Sequence, residues 1–137
     1  MTVKEYLSRP LELQEEIRSD EDDLAALRSI VENRTTHLSF TAGRNPSKNK
    51  DAFERTMIRI TEAEEKIVEK KARLEELQLE VLDKISLLED KNQKAVLRAR
   101  FIEGLSWRKI EKTVHLTKRH AIRLQQQGLK ELEKLSP

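Results

Sequence analysis

The chain has 137 residues, 36% hydrophobic and 38% charged, with one Trp, one Tyr and three Phe; a large globular core is excluded, but apolar seams along charged helices need only about two or three apolar residues in seven. The net charge of +2 is unevenly spread, since residues 91–137 hold 12 Lys/Arg against 4 Asp/Glu and residues 1–90 hold 15 against 21, so contact with a polyanion is expected of the last third only. Absence of Cys excludes disulfides and thiolate metal sites, and with no membrane-length apolar run and no secretory-type N-terminus a cytoplasmic protein without a membrane partner is expected.

Thr2-Val3-Lys4-Glu5 fits a capping box, with the Thr2 hydroxyl and the Glu5 carboxylate each serving a backbone amide of a starting helix. A seam then runs along Val3, Tyr6, Pro10, Leu13, Ile17, Asp20, Leu24, Leu27 and Val31, with steps alternating three and four. Pro10 removes an amide donor and is expected to kink or restart the helix near Ser8–Pro10. Asp20 places a carboxylate on the seam, where it needs a partner or water.

The polar stretch 39–50, with Gly43 and Pro46, reads as a loop, and Asp51 as the N-cap of a second long helix. The seam of that helix runs Phe53, Met57, Ile60, Glu64, Ile67, Lys71, Leu74, Gln78, Val81, Ile85 and Leu88, over a length of about 55 Å. Its polar members Glu64, Lys71 and Gln78 would set register or partner. Two heptad helices joined by a 12-residue loop suggest an antiparallel hairpin, although the pattern also suits a coiled coil between two copies, a homodimer. Asp90–Lys94 has neither Gly nor Pro, so the second helix is expected to break briefly or not at all.

From residue 95 the pattern changes. Ala95, Val96, Ala99, Phe101 and Ile102 form an apolar face that Gly104 ends. Ser106 caps a helix from Trp107 to about Thr113, Val114-His115-Leu116 makes a turn, and Thr117 caps a helix that buries Ala121, Leu124 and Leu132 with help from Leu129. Two capped helices joined by so short a turn form a helix-turn-helix, here with His115 where a turn Gly is usual. The expected fold is therefore all-α, a long heptad-patterned helical hairpin over residues 1–90 followed by a C-terminal helix-turn-helix domain over 91–137.

The second of these helices is the candidate recognition helix for duplex DNA. Lys118, Arg119, Ile122, Arg123 and Gln126 fall on one stripe and are the expected base readers: Arg suits guanine, Gln adenine, and Ile a thymine methyl. Arg108, Lys109, Lys112 and Lys130 are expected on phosphates. Ser106 and Thr117 start helices whose amides suit the same anion, and His120 flanks the cap or touches a phosphate. The run Gln125-Gln126-Gln127 has the alternative reading of a plain exposed polar face. Neither a phosphate-binding Gly loop, a metal cluster nor a nucleophile–base pair is visible, so no enzyme and no cofactor is expected.

The stretch from Leu97 to Glu111, with Phe101-Ile-Glu-Gly-Leu-Ser-Trp at its centre, followed by Leu116-Thr117-Lys118-Arg119 and Ala121, resembles sigma-70 region 4 over about 40 residues. The whole layout resembles phage-encoded regulators of the RinA/ArpU type. The resemblance implies a transcriptional regulator of phage late genes, as an activator, working at the nucleoid of a bacterial host cell. It places Lys118, Arg119, Ile122 and Arg123 where region 4 reads promoter DNA, with Ile122 where a polar reader is common. There is no counterpart of region 2, so promoter melting is not expected. Host RNA polymerase and a second copy of the chain are the further partners considered. A DNA-packaging subunit of the small-terminase kind, or an adaptor that binds polymerase alone, are the alternatives.

Overall fold

The structure, a computed structural model, describes the backbone of residues 1–40 and 46–135 and the side chains of 1–33 and 50–135. Within these it is all-α. The helices are α1 (Val3–Phe40), α2 (Pro46–Ile85), α3 (Lys91–Leu97), which continues as a π-helical segment (Arg98–Ile102), α4 (Trp107–Val114) and α5 (Lys118–Leu135). Two compact units form, one of Met1–Gln14 with Arg73–Pro137 and one of Glu15–Ala72.

In the unit of residues 15–72, α1 and α2 run antiparallel. Ion pairs join Asp20 to Lys70 at 2.7 Å, Glu21 to Lys71 at 3.1 Å and Arg28 to Glu64 at 3.1 Å; from the first two pairs to the third the numbers rise on α1 and fall on α2. The buried Leu24 and Ile67 fall within the span of these pairs, and the buried Ile17 and Ile60 continue the same seam beyond it. All nine expected seam positions of α1 are buried or half-buried.

The seam of α2 differs by one residue at every second position. Phe53, Ile60, Ile67, Leu74 and Val81 face inward as expected, but Thr56, Ala63, Lys70 and Leu77 stand where the heptad pattern puts Met57, Glu64, Lys71 and Gln78. Glu64 and Lys71 instead sit beside the seam, exposed, and reach across to Arg28 and Glu21. The inward charge is Lys70, which answers the seam carboxylate of Asp20.

Lys70 donates a hydrogen bond to Asp20 at 2.7 Å and holds its carboxyl below the ordinary carboxylate range, against the opposing effect of desolvation. That contribution to stability is therefore present above the ordinary pKa and disappears as pH falls through the lowered folded one. Asp20→Asn leaves Lys70 a neutral acceptor and, among the described residues, Glu16 at 3.8 Å as its remaining ion-pair partner, and is expected to lower Tm at neutral pH and to remove this part of the acid sensitivity. Asp20→Leu combined with Lys70→Met is expected to raise Tm, because an apolar pair avoids desolvating two charges. Thermal melts at pH 7 and pH 3 check both.

Several local expectations are corrected. α1 neither stops nor restarts at Pro10. The carbonyl that Pro10 cannot serve, that of Tyr6, accepts from Arg9 Nε at 3.4 Å, and the Pro10 ring is fully buried. The expected loop 39–50 is entered by helix from both sides, up to Phe40 and from Pro46; residues 41–45 lie outside the described ones. Pro46 suits a first helical position, where its missing amide is harmless, and Asp51 lies inside the helix and is not its cap. Of the two alternatives for Asp90–Lys94 the brief break is the one found: Ser86–Asp90 separates α2 from α3, and Asp90 caps α3 by accepting from the amides of Asn92 and Gln93 at 2.8 and 3.0 Å.

The other unit joins the two ends of the long helices to α3, α4 and α5. Its larger core contains Leu7, Val81, Ile85, Leu88, Leu97, Phe101 and Leu132. The capping box fixes the start of α1: the Glu5 amide donates to Thr2 Oγ1 at 3.1 Å and the Thr2 amide to Glu5 Oε2 at 3.2 Å. A clasp of Tyr6, Arg9 and Glu80 holds α1 to α2 here. Arg9 lies over the Tyr6 ring at 4.3 Å and pairs with Glu80 at 2.9 Å, while the Tyr6 hydroxyl donates to Glu80 at 3.3 Å. Desolvation, and after it the Glu80 charge, raise the phenol above its ordinary pKa.

Candidate nucleic-acid interface

A second core, Val96, Ala99, Ile110, Ala121 and Leu124, ties α3, the π-helical segment, α4 and α5 together, with Leu105, Trp107, Val114 and Leu116 at its rim. No sequence pattern marks the π-helical turn. It carries a bond from the Glu103 amide to the Arg98 carbonyl at 3.1 Å, and the Leu105 amide closes on Ala99 at 3.0 Å. Between them Gly104 takes φ +66°, and a Cβ there would lie 3.0 Å from Leu11 Cδ2. Backbone handedness and close approach both favour Gly at this position. Arg100 then fixes the entry to α4 by donating to the Leu105 carbonyl at 3.0 Å and lying over the Trp107 ring at 4.7 Å.

Ser106 caps α4 as expected, accepting from the Lys109 amide at 3.4 Å. α4 extends one residue past the expected limit, to Val114, and the turn is His115–Thr117. His115 adopts the left-handed conformation itself, at φ 57°. Thr117 caps α5, accepting from the His120 amide at 3.3 Å, while Glu111 accepts from the Lys118 amide. Two donors at the start of α5 are thus already engaged within the chain, and Thr117 acts there as a cap.

This frame sets which cations face outward. Ala121 and Leu124 are buried, and Lys118, Arg119 and Arg123 between and before them are exposed. Gln126 is exposed one turn on, and Lys130 continues the same side about 10 Å beyond Arg123. Ser106, Arg108, Lys109, Lys112, Thr117 and His120 are also exposed. Among the described residues, none of the basic side chains on α4 or α5 is in an ion pair.

Two members of the glutamine and reading stripes lie differently from a simple outer face. Ile122 is half-buried. Together with Gln126 it lines a groove of about 510 Å³ that is also lined by Lys4, Ser8 and Leu11 of α1. Gln125 is buried, 7% exposed, with its Oε1 unpaired among the described residues, so only Gln126 and Gln127 of the three form an exposed polar face. Gly128 is buried as well, where α5 passes close to Leu97.

Among the described residues no helix is long and apolar enough to cross a membrane. Comparison with family models, curated proteins and solved structures found no match, so a functional reading rests on this arrangement of helices and cations.

Proposed function

We propose that α4, the turn and α5 bind duplex DNA as a helix-turn-helix, and that the protein is a sequence-specific transcriptional regulator. The observation that carries this reading is the set of exposed cations in the first half of α5, Lys118, Arg119 and Arg123, without an ion pair among the described residues, on a helix whose position is fixed by a cap and two buried residues. A recognition helix is read from its N-terminal part in the major groove. Arg108, Lys109, Lys112 and Lys130 flank the stripe on the same basic segment and serve phosphates. The resemblance to sigma region 4 and to RinA/ArpU-type regulators directs this activity to phage late promoters. In that role the acidic N-terminal helices provide contact with host RNA polymerase or with a second copy.

The test is a titration of the full chain against duplexes selected from a random pool and against scrambled controls, across 50–200 mM salt as is usual for such slopes. Binding that is tighter on the selected duplex and falls steeply with salt is expected. Salt-independent or absent DNA binding, together with capture of polymerase, would favour the adaptor. A ring-sized mass in light scattering with unselective binding would favour the packaging subunit.

A further inference from the structure

We propose that Lys4 is a further phosphate contact, so that the first turn of α1 forms one wall of the DNA-binding groove; this rests on the DNA-binding reading above. Lys4 is far from α5 in sequence, yet it lines the same groove as Ile122 and Gln126 of the reading stripe. The lining of that groove includes two cations, Lys4 and Arg100, and no carboxylate. Arg100 is engaged by the Leu105 carbonyl and the Trp107 ring. The Lys4 side chain is exposed and has no partner among the described residues, so it is the one that can meet an anion.

Its position is built. The capping box orders the turn that carries it, the Ser8 hydroxyl donates to the Lys4 carbonyl at 2.7 Å, and Leu7 and Pro10 anchor the same stretch in the core. A cation on a rigid turn beside a reading helix fits a backbone strand that borders the major groove occupied by that helix. Such a contact adds affinity and orientation without reading sequence.

The experiment compares wild type, Lys4→Ala and Lys4→Arg as full chains on selected and scrambled duplexes over a salt series. One lost phosphate contact removes about 0.9 from the slope of log K against log salt, which at 0.1 M salt corresponds to about eightfold weaker binding. Lys4→Ala is expected to show this loss equally on both duplexes, and Lys4→Arg to restore it. Unchanged affinity and slope in Lys4→Ala would overturn the proposal while leaving DNA binding in place. Tighter binding would overturn it too, marking α1 as an obstruction, and so would a loss confined to one base pair. A wild type that shows no salt-dependent DNA binding would overturn the functional reading and this contact with it.

Discussion

Replacing Leu97 by Ala is expected to lower the stability of the unit containing the C-terminal helices by about 2–5 kcal/mol, the range for emptying a well-packed apolar site. Leu97 is fully buried and belongs to the core that joins α1, α2, the π-helical segment and α5. It also explains Gly128. A Cβ at residue 128 would lie 2.9 Å from Leu97 Cδ1 and 3.6 Å from Gln93 Cβ. A Gly inside a helix forgoes about 1 kcal/mol relative to Ala, and that preference is overridden here by the approach of α3 to α5. With Leu97 in place, Gly128→Ala is expected to give no stabilisation, since a fully buried side chain has nowhere to turn. With Leu97 already replaced by Ala, the same substitution fills vacated space and recovers about 1 kcal/mol. Urea unfolding of the two single variants and the double variant yields the coupling directly. Additive effects would show that the close approach does not constrain residue 128.

The all-α class and the order of helices were legible because both rest on local rules, three-and-four spacing and caps. Thr2, Ser106 and Thr117 cap the helices they precede, and the seam of α1 falls inward at each position. The second seam was legible only by half. Positions 53, 60, 67, 74 and 81 belong to both alternating registers, and the choice of Lys70 over Lys71 depends on Asp20, fifty residues away. The restart expected near Pro10 does not occur: Arg9 serves the carbonyl that Pro10 leaves open, and the ring is buried. The exposed cations of the candidate interface are given by α5 periodicity alone. Its groove is not, because the wall formed by Lys4 and Ser8 comes from the far end of the chain. Gln125 and Gly128 were missed because neither is apolar, although both fall on the four-three-four spacing from Ala121 to Leu132 that turns one face of α5 inward.

Arg123→Ala is the substitution expected to affect recognition most. Arg123 stands six residues past the Thr117 cap, exposed and without an ion-pair partner among the described residues, between the buried Ala121 and Leu124 that fix its backbone. A guanidinium held this way can present two donors to guanine O6 and N7, which an ammonium or a short side chain cannot reproduce. Its loss is expected to weaken binding to the selected duplex by about 1–3 kcal/mol, roughly 5- to 150-fold, and to relax discrimination at one base pair. Arg108→Ala on the outer side of α4 is expected to behave differently, lowering affinity alike on all duplexes and reducing the salt slope by about one. The comparison separates reading from positioning, because a base contact changes the ranking of sequences whereas a phosphate contact scales them together. Equal losses for Arg123→Ala on every duplex would reassign Arg123 to the phosphates and move the reading function to Lys118 and Arg119, nearer the start of the helix.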